Sequence, residues 1–240
     1  MSSKTWGAGI GWAAVLALAA GAGCAALGGA GTVVPPPLTG FQPGPSTPIT
    51  AQQLLPRQSR QGFYRIAAGP DAGALVRFTF EPQGNRWVLT KEGLTRHELV
   101  YDELGNVLIV REVNFRVNRE IVYDPPIMLL SAALDTNRPV TGTSQVTIRE
   151  LGLGGITYQG TCTWEMLFAG THLIHTVAGD MESYFVRLSH HLSLPMTHVA
   201  LTVDFGYVIH EGMTSINVYQ TAWVLGLTAN NETWRLERVF

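Results

Sequence analysis

Apolar and aromatic residues recur at every second position over most of the chain, and this period restricts the fold more than any other feature. Phe78 and Phe80 are followed by Trp87 and Leu89, with a turn signal at residues 82–85 between the pairs. Because side chains alternate between the two faces of a strand, this spacing predicts half-buried β-strands. No long amphipathic helix is evident after residue 56, and Pro126–Leu134 is the one further stretch that we interpret as a helical turn.

The strand candidates follow one another with short turn signals. Residues 99–101 and 107–110 flank a turn and predict a hairpin, and 121–123 is predicted to end against Pro125-Pro126, because proline lacks an N–H. The alternation continues at 113–117, and further strands are predicted at 144–150, 155–168, 172–177, 183–194, 197–203, 206–213, 215–229 and 233–239. About ten to twelve antiparallel strands without crossover helices predict an all-β domain, a curved sheet that closes into a barrel or half-barrel, or a sandwich.

The first 24 residues have the pattern of an export signal. Lys4 is the one charged residue among residues 1–34, and an uncharged apolar run extends from Gly9 to Cys24. The quartet 21–24 (Gly-Ala-Gly-Cys) resembles the bacterial lipobox, which implies that Cys24 is acylated, although Gly21 stands where leucine is usual. Ordinary signal cleavage after Ala22 and an uncleaved anchor helix are the alternatives.

Residues 25–56 are predicted to form a Pro-rich linker and a short helix. The prolines between 35 and 48 cannot join a helix or a ladder, so an extended spacer is expected. Thr47 as N-cap and Pro48 at the first helical position predict the helix start. Residues 57–240 then form the antiparallel β domain, which is long enough to bury a core without disulfide staples.

The composition excludes several classes of protein. Charged residues make up 14% of the chain and hydrophobic ones 46%, which argues against disorder. The formal net charge is -2 and no basic patch is visible, so a nucleic-acid partner is not expected. The two cysteines, Cys24 and Cys162, cannot form a disulfide framework or a four-thiolate zinc site, and Cys162 is predicted to be a buried apolar residue.

No nucleophilic constellation can be recognised. The chain lacks a Gly-x-Ser-x-Gly elbow, and Ser189 and His190 are neighbours in a predicted strand, so their side chains diverge. We therefore predict no catalytic residue, no cofactor and no enzymatic activity.

Two sets of side chains are candidates for binding. The first set consists of four aromatic residues in strands of alternating pattern: Trp87, Trp164, Tyr184 and Trp223. We expect them either to face an apolar ligand or lipid or to form part of the hydrophobic core. Three histidines, His190, His198 and His210, would bind zinc or copper if their strands are adjacent, with Asp204 or Glu211 joining them. The alternative is that these histidines are surface residues or hydrogen-bonded polar ones.

Two segments carry a resemblance to a family. The Thr-x-Ala-Gly pattern at 176–179, within His175–Arg187, and the strand start Phe205-Gly206-Tyr207-Val208 are similar to TapB-like and related domains of secreted bacterial proteins and lipoproteins. The resemblance spans roughly residues 120–240 and departs where Met181 replaces the usual aromatic. It implies a barrel-type antiparallel sheet of unassigned biochemistry. A looser similarity is to the half-barrel lipoprotein carriers of the LolA and LolB type.

Together these patterns predict an exported protein of the bacterial cell envelope with a non-catalytic role. We expect it to be held at the membrane by its N-terminal lipid or anchor, with a periplasmic or secreted form as the alternative. Its expected partner is an apolar ligand, a lipid or an envelope protein. The alternatives are a structural or assembly component of a cell-surface complex and a metal-dependent enzyme.

Overall fold

The computed structural model describes residues 32–42, 49–55, 58–136, 138–152, 155, 157–176 and 179–239. Twelve strands and one short helix, α1 (Ala51–Leu54), are present in these ranges. The strands are β1 Arg60–Ala68, β2 Leu75–Gln83, β3 Arg86–Lys91, β4 Thr95–Tyr101, β5 Val107–Asn114, β6 Arg119–Leu130, β7 Val140–Glu150, β8 Thr157–Thr176, β9 Gly179–Leu194, β10 Thr197–Val208, β11 Gly212–Val224 and β12 Leu227–Val239.

The strands form one closed antiparallel barrel in which every strand pairs with its neighbours in the sequence. The last strand, β12, returns to the first, with Tyr64 opposite Arg238 and Ile66 opposite Leu236. Closure leaves the twelve described strands without an unpaired edge that could template aggregation. The predicted all-β class and the closing of the sheet into a barrel are confirmed, and the predicted anchor helix lies outside the described residues.

The hydrophobic core fills the barrel interior because alternate side chains of each strand point inward, and the period-two pattern places apolar residues at these positions. On β9 and β10 the inward set includes Val186, Leu188 and Leu201, and the same alternation continues around the barrel. Tyr207 is among the largest fully buried side chains. The inside of the barrel is thus mostly packed side chain rather than an open channel.

Three sequence predictions fail around proline and glycine. Pro125-Pro126 does not end β6, and the predicted helical turn at Pro126–Leu134 is wrong, since β6 runs to Leu130. Between the pairs Arg111–Val122 and Ile109–Ile127, four residues of β6 lie opposite one residue of β5, so the prolines occupy a bulge where no ladder N–H is needed. Likewise, the predicted break between 168 and 172 is a bulge inside β8 at Gly170.

The short helix α1 covers one mouth of the barrel, which we call the plugged mouth. Ala51 and Leu54 are fully buried there, the His210 N–H donates to the Gln53 carbonyl at 3.1 Å, and the Leu134 N–H donates to the Ile49 carbonyl at 3.1 Å. The N-cap is Thr50, not Thr47 as predicted, because residues 49 and 50 are not helical.

Residues 32–42, which we call the strap, lie on the outside of the barrel wall. The Val33 N–H donates to Thr221 Oγ1 on β11 at 2.8 Å, and Gln42 exchanges two backbone hydrogen bonds with Thr171 on β8, at 2.8 and 3.0 Å. The Phe41 ring lies 4.7 Å from the Phe185 ring, measured between centroids. This part of the predicted spacer therefore packs on the domain instead of standing away from it.

No helix within the described residues has the length and apolar character of a membrane span.

Candidate functional site

A cluster of titratable side chains lies inside the barrel, where the pattern otherwise places apolar residues. His97 on β4 and Glu112 on β5 are direct partners in the register, and His97 Nε2 lies 3.4 Å from Glu112 Oε2. Lys91 on β3 and His190 on β9 face the same interior. All four are inward because each occupies the same alternation position as neighbouring core residues.

Burial and mutual charge set the protonation of this cluster. Burial lowers the pKa of Lys91 to about 8, although Glu112 opposes the shift. Burial likewise lowers the pKa of His190 to about 4, so this imidazole is neutral at pH 7. Burial alone would raise the pKa of Glu112, but the charge and hydrogen bond of His97, with Lys91 and His190, hold it below its usual value. The carboxylate is thus the fixed charge of the cluster.

A cavity of about 100 Å³ adjoins Lys91 near the mouth opposite α1, which we call the open mouth. One wall comes from β3 to β5 and the turns that follow them, and the facing wall comes from β11 and β12. The residues that line it are Lys91, Leu94, Thr95, Asn114, Arg116, Ile216, Val218, Gln220, Glu232, Trp234 and Leu236. The cavity therefore combines an apolar surface with several hydrogen-bonding groups.

Three polar atoms of the cavity residues are buried without a hydrogen-bond partner among the described residues: Thr95 Oγ1, Arg116 Nη1 and Gln220 Nε2. A buried donor left unpaired costs about 1–3 kcal/mol. Because Thr95 and Gln220 lie on facing walls, one occupant of the cavity could pair with both. The arrangement favours an occupant that supplies hydrogen-bond acceptors.

Arg116 is held at the edge of the cavity by three neighbours. Its guanidinium carbon lies 4.3 Å above the Trp234 ring, and its Nη2 forms an ion pair with Asp71. The backbone N–H of Arg116 donates to Asn114 Oδ1 at 3.1 Å. Burial raises the pKa of Glu232, which accepts a hydrogen bond from Trp234 Nε1 at 3.2 Å. The cationic groups Lys91 and Arg116 therefore face a carboxyl group that protonates more readily than usual.

The size of the cavity limits what it can enclose. At about 100 Å³ it has the volume of roughly three waters in the liquid, whereas pockets that enclose drug-sized ligands measure roughly 300–1,000 Å³. A second interior cavity, below α1 beside Tyr64 and Met213, measures about 50 Å³. The described interior accommodates a head group or a short chain segment, not a whole lipid.

Larger depressions occur elsewhere on the wall. One of about 490 Å³ is lined mainly by outward threonines of β7 and β8, with Glu165 and His191, and one of about 350 Å³ lies beside Thr79 and Phe115. Neither has a buried polar atom without a partner among its lining residues.

The four predicted ligand-binding aromatics do not line the open-mouth cavity. Trp87 faces inward and stacks on Phe80 at 4.7 Å, Trp164 faces inward and donates from Nε1 to Ser144 Oγ at 3.3 Å, and Tyr184 faces inward with its hydroxyl on Glu182 at 2.8 Å. Trp223 is on the outward face of β11, opposite His198. The cavity uses Trp234 instead.

The three predicted metal-binding histidines are not brought together. His190 points inward, His198 points outward to Ser193 Oγ at 3.2 Å, and His210 is in the turn at the plugged mouth. Arg187 binds Asp204 through two hydrogen bonds of 2.6 and 2.8 Å, and Arg238 binds Glu211 at 3.1 Å. In the described ranges no group of three or more histidine, cysteine or acidic side chains is close enough to hold a metal ion.

Of the two cysteines, Cys162 belongs to the described residues and Cys24 does not. Cys162 is buried inside the barrel, and burial raises the pKa of its thiol to about 12. Cys24, the predicted acylation site, lies outside the described residues.

The sequence reasoning missed Lys91, His97, Glu112 and Gln220. The sequence did contain a signal for Lys91. This residue continues the alternation of Trp87 and Leu89, so a charged side chain occupies a position that the pattern assigns to the barrel interior. Polar residues at inward strand positions are the ones to examine for function, since burying them without a partner is costly.

No family model matches the chain, and no curated protein matches it. The similarity of residues 120–240 to TapB-like domains therefore stays a prediction.

Solved structures with a similar backbone include the hypothetical lipoprotein YmcC of Escherichia coli, at 10% identity and a TM-score of 0.41, with 78% of this chain and 88% of that chain covered. A protein of Parabacteroides distasonis described as a candidate lipoprotein has 10% identity and a TM-score of 0.38, with 77% and 96% covered. A protein of Bacteroides fragilis described as a candidate exported protein with a YmcC-like fold has 8% identity and a TM-score of 0.29, with 82% and 96% covered. The fold assignment itself rests on the strand pairing of this chain.

Proposed function

We propose that this chain is an exported, membrane-tethered envelope protein whose barrel binds the acceptor-bearing head group of a single-chain amphiphile, such as a fatty acid. The tether is Cys24 or the apolar segment before it. The head group occupies the open-mouth cavity, and the chain of the ligand leaves through the mouth. The role is binding rather than catalysis.

The observation that carries this proposal is the set of unpaired polar atoms on facing walls of one cavity, Thr95 Oγ1, Arg116 Nη1 and Gln220 Nε2. A carboxylate offers two oxygens with about four acceptor positions, so it can pair with donors from both walls at once. The cations of Lys91 and Arg116 add favourable charge, since hydrogen bonds to ionised groups are stronger than neutral ones.

The apolar part of the lining supports an amphiphile rather than an inorganic anion. Leu94, Val218 and Trp234 belong to the cavity surface next to the polar groups. Burying a methylene group contributes about 0.8 kcal/mol, so an alkyl chain that contacts these residues adds affinity that phosphate or acetate lacks. The small volume explains why only the head of such a ligand is enclosed.

The test is calorimetric titration of the purified protein with decanoate. We expect saturable binding at one site, and Gln220→Leu should weaken it by at least about tenfold, because it removes one donor to a charged group, worth roughly 1.5–3 kcal/mol. Gln159→Leu is the matched control, since Gln159 is on the outward face of β8. Decyltrimethylammonium has an alkyl chain of nearly the same length and a cationic head, so it should not bind.

Two results would count against the proposal. Equal affinity for decanoate in the Gln220→Leu variant and the unchanged chain would mean that the cavity donors take no part. Equal binding of the cationic amphiphile would mean that the barrel surface binds alkyl chains without regard to the head group.

A further inference from the structure

Three exposed apolar side chains lie together on two neighbouring hairpins at the open mouth. Met196 is 51% exposed, Leu225 75% and Leu227 56%. The hairpins are joined directly, because the Leu225 N–H donates to the Met196 carbonyl at 3.0 Å. We call Met196, Leu225 and Leu227 the rim patch.

The turn between β11 and β12, which presents the rim patch, has an unusual residue at its first central position. Leu225 has a φ of 51° and Gly226 a φ of 79°, so both central residues of this two-residue turn are in the left-handed region. Turns of this geometry favour Asn-Gly, because a residue with a branched side chain rarely adopts a positive φ. Leucine is therefore favoured at this position neither by its backbone preference nor by packing in the core.

The two hairpins contain no aspartate, glutamate, lysine or arginine. Residues 188–203 and 212–231 consist of apolar and polar residues, among them Trp223 and the three histidines His190, His191 and His198. Trp223 is on the outward face three residues before Gly226. Uncharged tips of leucine and methionine with a nearby tryptophan are the composition expected of a surface that enters the interfacial region of a bilayer.

The described start of the strap lies on the same side of the barrel as the rim patch. Val33 binds Thr221, which is four residues before Leu225 on β11, and from there the strap runs towards Thr171 and the plugged mouth. Four strand residues span about 13 Å, and the nine residues from Cys24 to Val33 reach at most about 30 Å. The chain that leads to the anchor thus departs near the open mouth.

We propose that the rim patch contacts the surface of a phospholipid bilayer and turns the open mouth towards it. This rests on the proposed function in one respect, because the tether brings the barrel to the membrane. The orientation lets an amphiphile pass between the bilayer and the cavity with its chain still in lipid. Contact is apolar, so added salt should leave it unchanged.

The experiment uses the full chain in phosphatidylcholine nanodiscs, which leave both membrane faces accessible, and a membrane-impermeant maleimide. Leu225→Cys is compared with Leu104→Cys, a matched control in the 102–106 turn at the plugged mouth, where Leu104 is 79% exposed. The unsubstituted chain gives the background from Cys24, and the buried Cys162 adds none. Both variants should label alike when unfolded in guanidinium.

We expect the Leu225→Cys variant in discs to label at least about tenfold more slowly than the Leu104→Cys variant. Equal rates in disc-bound protein would overturn the bilayer contact and leave the tether and the ligand proposal standing. Failure of the chain to enter discs would overturn the tether and the contact together. Protection that rises with protein concentration would assign the rim patch to a second copy of the chain and overturn the proposal.

Discussion

Replacing His190 by leucine should remove a large part of the loss of unfolding free energy that we expect between pH 6.5 and pH 4. The His190 imidazole is inside the barrel and its Nε2 has no hydrogen-bond partner among the described residues. Burial lowers its pKa from 6.5 to about 4, so the unfolded chain binds a proton in this range that the folded chain does not. Stability therefore falls as the pH falls through this window.

The magnitude follows from the size of the shift. Each pKa unit corresponds to 1.36 kcal/mol, so a shift from 6.5 to about 4 amounts to roughly 3 kcal/mol of unfolding free energy lost by pH 4. The titration of Glu112 changes the unfolding free energy mainly at pH values below the range in which His190 acts. Its folded pKa lies below the usual 4.5, so its contribution is present above that value and is lost as the pH falls through the folded pKa.

The assay is urea unfolding followed by circular dichroism at several pH values, with the unfolding free energy extrapolated to water. A leucine side chain at this position would fill a similar volume without titrating, so the His190→Leu variant should lose much less stability than the unchanged chain. His198→Leu is the control, because His198 is exposed on the outer face and is not among the groups that shift the pKa of His190, so it should keep the original pH profile. The same pH dependence in His190→Leu and the unchanged chain would refute the assignment.

Three further results are expected. Asp204→Ala should lower the unfolding free energy by about 3–5 kcal/mol in urea melts, because it leaves Arg187, whose side chain is only 13% exposed, without its charge partner, and Arg187→Met combined with Asp204→Leu should recover most of that loss. Gly170→Ala should speed chymotrypsin cleavage after Phe41, because the added Cβ would collide with the Gln42 carbonyl, whereas Gly73→Ala, also at positive φ but in open space, should not. Labelling of Cys162 by a thiol reagent, followed by peptide mass spectrometry to separate it from Cys24, should require unfolding, and labelling of Cys162 in the folded protein at the rate of a free thiol would contradict its burial.

The class of fold could be predicted from the sequence because the period-two pattern is local. Val199, Leu201 and Val203 alternate with other residues and each is buried as the pattern requires. Closure follows from the same pattern together with the need to pair strand edges. The predictions that failed depend on how a strand pairs with its neighbours. Pro125 is tolerated within β6 because β5 makes no ladder hydrogen bond to it there, and the sequence of residues 119–130 alone does not indicate this gap in the pairing.

The candidate site was harder to predict because it depends on register. His190 and His198 are only eight residues apart, yet the Leu201–His190 and His198–Ser193 pairs place them on opposite faces. Lys91, Glu112 and Gln220 are distant in sequence, and only closure of the barrel brings β3, β5 and β11 around one interior. The inward position of each could be read from the alternation, but their proximity could not.

Native mass spectrometry of the protein released from membranes in a mild detergent tests the binding proposal most directly. The account predicts a population that carries one single-chain amphiphile, and a smaller such population for the Gln220→Leu variant than for the Gln159→Leu control. Release of the unchanged chain without any bound amphiphile, or equal retention by the two variants, would contradict it.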